Sequence, residues 1–94
     1  MRDYETLYII NPTLEEDEIK NVVEKFKTLI QKNGGEVTDI NEWGKRRLAY
    51  TVKNMNEGYY VLMQFKAEPA VVQDLERVFK ITDEVIRYLI TKQE

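Results

Sequence analysis

Read along the chain, apolar and polar positions change period several times, and each change marks an element. Residues 2–10, Arg2 to Ile10, are rich in Tyr, Ile and Thr and predict a strand, which Asn11-Pro12 stops. Apolar residues then recur at Ile19, Val22, Val23, Phe26 and Ile30, one face of a helix. Thr13 and Glu16 have the spacing of a capping box at its start. Glu15, Glu16, Asp17 and Glu18 lie where the helix dipole favours negative charge, and Gly34-Gly35 supplies the stop. Residues 36–52 read as a second strand interrupted at Gly44, and residues 54–58 as a turn-rich link. Tyr59 to Ala67 gives the strongest strand pattern. Pro69 opens a second helix with Val71, Val72, Leu75, Val78 and Phe79 on its apolar face. Thr82-Asp83 ends it, and Val85 to Lys92 predicts the last strand.

The resulting order, β-α-β-β-α-β, is the ferredoxin-like arrangement of an α+β domain. It predicts one domain over residues 1–94, with a four-stranded antiparallel sheet and both helices on one face. Tyr8, Ile10, Phe26, Ile30, Val37, Phe65, Leu75, Phe79 and Ile90 form the expected core. Strand alternation places Tyr59, Val61, Met63 and Phe65 on one side and Tyr60, Leu62, Gln64 and Lys66 on the other. Leu7 and Ile9 likewise oppose Tyr4, Thr6, Tyr8 and Ile10. Leu7, Ile9, Tyr60 and Leu62 therefore fall on the uncovered side, where a one-sided sheet is ordinarily polar. An apolar patch there marks either a partner surface or scattered exposed side chains.

Composition narrows the chemistry. Among 94 residues there is no cysteine and no histidine, which removes disulfides, thiolate metal sites and the commonest general base. No apolar run has the length of a membrane span and the N-terminus does not read as a signal peptide, so the expected location is cytoplasmic and no membrane partner is expected. The net charge is −3, yet Lys45, Arg46 and Arg47 are consecutive after Gly44, and Lys53 follows. This basic run fits either phosphate binding or a solvated strand end paired with Asp39 or Glu42.

Enzymatic motifs are missing. The acidic run Glu15 to Glu18 reads as a solvated first helical turn rather than a metal site. An acylphosphatase of this fold needs a phosphate-binding Arg after the first strand, where this chain has Asn11-Pro12-Thr13. An ACT-like regulatory module that dimerises through its sheet is a second alternative. The segment Glu57 to Phe65 shares only Gly58 and the pair Tyr59-Tyr60 with the third strand of RNA-recognition motifs. No catalytic residue, metal, cofactor or small-molecule substrate is expected.

The run Gly44-Lys45-Arg46-Arg47-Leu48-Ala49-Tyr50-Thr51-Val52-Lys53 closely resembles the signature of the bacterial small-subunit ribosomal protein six family. Met1-Arg2-Asp3-Tyr4-Glu5, Ile10-Asn11-Pro12 and Glu57-Gly58-Tyr59-Tyr60 resemble it too, so the likeness runs from Met1 to about Lys92. Val52 stands where isoleucine is more usual, and many members carry a longer polar or acidic tail than the sequence ending at Glu94. The resemblance implies sheet order 4-1-3-2 and a structural role in the small ribosomal subunit. It also implies binding to small-subunit ribosomal RNA as a heterodimer with ribosomal protein eighteen. On that reading Arg2, Lys45, Arg46, Arg47 and Lys53 are the RNA-binding candidates. Arg46 and Arg47 should point opposite ways, so that only one of them meets RNA directly. Leu7, Ile9, Tyr60 and Leu62 are the expected partner interface.

Overall fold

The computed structural model describes residues 1–93; Glu94, where the sequence ends, lies outside the described residues. The order is β1 (Arg2–Ile10), α1 (Glu16–Lys32), β2 (Glu36–Val52), β3 (Met55–Ala67), α2 (Pro69–Ile81) and β4 (Val85–Lys92). The strands form one antiparallel sheet in the order β2-β3-β1-β4, the expected 4-1-3-2 read from the other edge.

Both helices pack on the face that carries Tyr4, Thr6, Tyr8 and Ile10 of β1 and Val61, Met63, Phe65 and Ala67 of β3, all buried. Tyr8 is the hub. Its ring centroid lies 5.3 Å from Phe26 of α1 and 5.1 Å from Phe79 of α2, and the two phenylalanines are 4.4 Å apart. Burial raises the Tyr8 pKa well above the ordinary tyrosine value, with a smaller push from Glu42. Its hydroxyl has no hydrogen-bond partner among the described residues.

Seven of the nine expected core residues are buried; Val37 and Ile90 are half-buried and only pack against the cluster. The sheet order explains both, because β2 and β4 are its edges and each has a neighbour on one side only. The start of α1 also differs from expectation. Glu15 is the residue before the helix, and its N–H donates to the Glu18 carboxylate at 3.1 Å. Thr13 is instead captured by Asn11, whose Oδ1 accepts from both the Thr13 N–H, at 2.9 Å, and its hydroxyl, at 2.7 Å.

The largest difference lies between β2 and β3. The expected link over residues 54–58 contracts to a two-residue turn at Lys53-Asn54, with φ of 50° and 64°. Adjacent left-handed residues match the twist of a tight hairpin. The strands therefore continue to Val52 and from Met55, and β2 passes through Gly44 without ending. The β2–β3 register shifts between Glu42 and Gly44, a bulge at which Gly44 takes φ of +82°. Gly44 is thus a bulge within one strand, not the interruption its sequence suggests.

Candidate functional site

The face away from the helices is ordered in rungs. Gln64, Glu5 and Thr91 form a polar rung, closed by a 3.1 Å hydrogen bond from Gln64 to Glu5. Next comes Leu62-Leu7-Leu89, three leucines side by side across β3, β1 and β4, with Leu89 63% exposed. The third rung is Tyr60-Ile9-Arg87. Beyond it the β2–β3 hairpin curls over the sheet. Leu48 and Gly58 approach Ile9 and Ile86. At the hairpin's outer reach, Arg87 of β4 donates to the Tyr50 hydroxyl and places its guanidinium 5.2 Å from the centre of the Tyr50 ring. A hollow of about 260 Å³ remains between hairpin and sheet, lined on the sheet side by Leu7, Ile9, Tyr60 and Leu89.

Three of the four expected interface residues, Leu7, Tyr60 and Leu62, are half-exposed on this face. Ile9 lies on the same side but is buried at 7% exposure, because the hairpin covers it. That corrects its expected place on the uncovered side. Trp43, Leu48, Tyr50 and Leu89 extend the apolar surface beyond the four expected interface residues. The run Leu48-Ala49-Tyr50 held the signal, but only a hairpin long enough to fold back turns it into a surface feature.

The bulge at Gly44 resets the alternation of β2. Trp43 and Arg46 are three apart and would point to opposite faces of a regular strand. With the extra residue they share one hollow with Tyr60, and the Trp43 and Tyr60 rings stack at 6.0 Å with 9° between their planes. Lys45, opposite Tyr59, sits on the helix side in a hollow with Glu16 and Glu42. There the Tyr59 hydroxyl donates to Glu42 at 2.8 Å. Burial first, then this bond and the charge of Glu42, push the Tyr59 pKa up to about 12.

The five candidate RNA-binding residues do not form one cluster. Lys45, Arg46 and Arg47 are exposed along β2, and among the described residues none of them forms an ion pair. Lys53, at the hairpin turn, lies apart beside Lys80 and Arg87, around a separate hollow at the end of α2. Arg2 pairs with Ala67 at the far end of β1. Eight residue steps of strand, ~27 Å, separate it from the Ile10 end of the sheet, next to which Lys45 lies. No helix among the described residues is long and apolar enough to cross a membrane.

Comparison with known proteins gives one answer by three routes. Residues 3–92 match the family model for ribosomal protein S6. The chain is 56% identical over 94 residues to the small ribosomal subunit protein bS6 of Thermoanaerobacter pseudethanolicus, covering all of this chain and 99% of that one. It is 54% identical to the bS6 of Clostridium botulinum (strain Hall), with both chains covered completely. The crystal structure of 30S ribosomal protein S6 from Thermotoga maritima superposes with a TM-score of 0.93 at 33% identity, covering 98% of this chain and 87% of that one. The sheet order, the one-sided helices and the basic motif of β2 thus occur together in a chain that belongs to the ribosomal protein S6 family.

Proposed function

We propose that this protein is a structural component of the small ribosomal subunit that binds small-subunit ribosomal RNA as a heterodimer with ribosomal protein eighteen. The S6 family is structural and not enzymatic. The observation that carries the heterodimer is the leucine rung Leu62-Leu7-Leu89 on a sheet face that no helix covers. A contiguous apolar strip of this kind is costly in water and suits a protein partner.

The RNA reading rests on the cations of β2. Among the described residues none of Lys45, Arg46 and Arg47 forms an ion pair, and Lys53 adds a charge at the turn. Arg2, at the opposite end of the sheet, serves the same RNA only if the RNA spans the sheet's length. The chain carries net charge −3, so bound alone it should hold RNA weakly, and a basic partner supplies the remaining counter-charge. Phosphate contacts fix position without reading sequence, so selectivity comes from RNA shape and from the partner.

The test is RNA binding by the isolated chain and by the heterodimer across a salt series. The heterodimer should bind tightly, with affinity falling as salt rises, and the isolated chain weakly. Equal affinity with and without the partner would refute the joint binding.

A further inference from the structure

We infer that the bulge at Gly44 sorts the basic run by face: Arg46, with Trp43 and Tyr60, anchors the protein partner, and Arg47 is the arginine that meets RNA phosphate. This rests on the heterodimer and RNA reading above and goes beyond it by assigning each arginine.

Three observations carry the sorting. First, Arg46 pairs across the hairpin with Gly58, on the side where Gly58 and Leu48 approach Ile9, and it borders the hollow of Trp43 and Tyr60. Second, Tyr60 also lines the apolar hollow above Leu7 and Ile9, so the Trp43-Tyr60-Arg46 group is continuous with the leucine rung and not a separate island. Third, Arg47 pairs with Glu57, one step out of phase with Arg46, and so belongs to the opposite side of the hairpin. Lys45 shares that side but sits in a hollow against α1 with Glu16, Lys20 and Glu42, where Glu16 pairs with Lys20 and Glu42 accepts from Tyr59. Arg47, two residues farther along the hairpin and opposite Glu57, carries the planar fork that bonds phosphate through two parallel N–H groups.

The chemistry of each side agrees. Trp, Tyr and Arg together are the residue types that most often carry the energy of protein interfaces. Trp43, 40% exposed and stacked on Tyr60, offers a flat apolar surface. Arg46 and Arg87 flank this surface, and among the described residues neither pairs with a carboxylate. The partner segment that fits presents apolar side chains to Trp43 and the leucines, and carboxylate or carbonyl oxygens to Arg46.

The experiment compares Arg46→Ala and Arg47→Ala, both at exposed positions. Calorimetry measures heterodimer affinity, and a salt series measures RNA binding by heterodimer held saturated with partner. Arg46→Ala should weaken the heterodimer by about fivefold or more and leave the salt slope unchanged. Arg47→Ala should flatten the slope by about 0.7–0.9 and leave the heterodimer unchanged. Trp43 is the sole tryptophan, so its emission should change when partner is added and show no further change when RNA follows. A flattened slope with Arg46→Ala, or a weakened heterodimer with Arg47→Ala alone, overturns the sorting. Failure of the parent chain to form the heterodimer, or of the parent heterodimer to bind RNA, overturns the underlying reading instead.

Discussion

Gly58→Ala probes how tightly the hairpin closes on the sheet. Gly58 is buried where the base of the hairpin crosses Ile9. A methyl group placed on its Cα would overlap Cγ2 of Ile9 and meet Leu48 Cδ2 at 3.5 Å and Ile86 Cδ1 at 3.6 Å. Cγ2 is bonded directly to the Ile9 Cβ, so turning the outer part of that side chain does not clear it. Either Ile9 leaves its rotamer or the strands separate. Overpacking of this kind costs about 1–3 kcal/mol, which for a domain of this size lowers Tm by about 4–24 °C. Urea unfolding followed in parallel by Trp43 emission and by circular dichroism gives the free energy. It also shows whether the hairpin end opens before the rest. The cycle with Ile9→Ala isolates the cause. Ile9→Ala alone costs about 2–5 kcal/mol, but in its background the Gly58→Ala cost should fall to near zero, a coupling of about 1 kcal/mol or more. If Gly58→Ala is neutral, or costs the same with and without Ile9, the close approach is not what requires glycine there.

Other substitutions test separate parts of the account. Phe26→Ala or Phe79→Ala removes half of the aromatic pair under Tyr8 and should cost about 3–5 kcal/mol in denaturant unfolding. Tyr8→Phe deletes a buried hydroxyl that has no partner among the described residues and should raise stability by about 1 kcal/mol. Because burial penalises its ionised form and holds the folded-state pKa of Tyr8 above the unfolded value, stability is independent of this group below pH 10 and falls as pH rises beyond that. Tyr59 adds a like loss between pH 10 and about 12, so Tyr8→Phe should reduce the alkaline fall in Tm without abolishing it. Leu62→Asp puts a charge into the leucine rung and should weaken the heterodimer while preserving the fold; unchanged affinity in a calorimetric titration would place the partner elsewhere.

What sequence reveals and what it hides follows from the range of the interactions. The limits of β4 and the Pro69 start of α2 are legible because proline, the Thr82-Asp83 break and local periodicity set them. The start of α1 misleads because two groups compete for Thr13. A capping box with Glu16 looks right by spacing, but Asn11 is nearer and takes the hydroxyl. The β2–β3 turn is hidden because Lys53 in a left-handed conformation carries no sequence signal comparable to Asn-Gly. Two further differences descend from that one. A five-residue link with shorter strands leaves Ile9 uncovered and Tyr50 unplaced, whereas the tight turn and long hairpin bury the first and bring the second to Arg87. The basic run and the opposite aims of Arg46 and Arg47 are plain in the sequence, but which face each arginine takes depends on one bulge residue and needs coordinates.

The central position of β1 bears on how the chain is made. β1 leaves the ribosome before both of its neighbours, β3 and β4, and the last contact along it is a 2.8 Å bond from the Gln93 N–H to the Asp3 carbonyl. At roughly 5–20 residues per second, about 4–16 s pass between the synthesis of Ile10 and that of Lys92. Throughout that interval one edge of β1 has no partner, and the surface that will cover Tyr8 is incomplete. Local contacts within α1 and within the β2–β3 hairpin form early, but the sheet closes only once β4 has been made. The domain therefore completes its sheet only after β4 has emerged, and a nascent chain halted before Val85 leaves one edge of an aromatic-bearing central strand open to capture by chaperones or to mispairing with another chain.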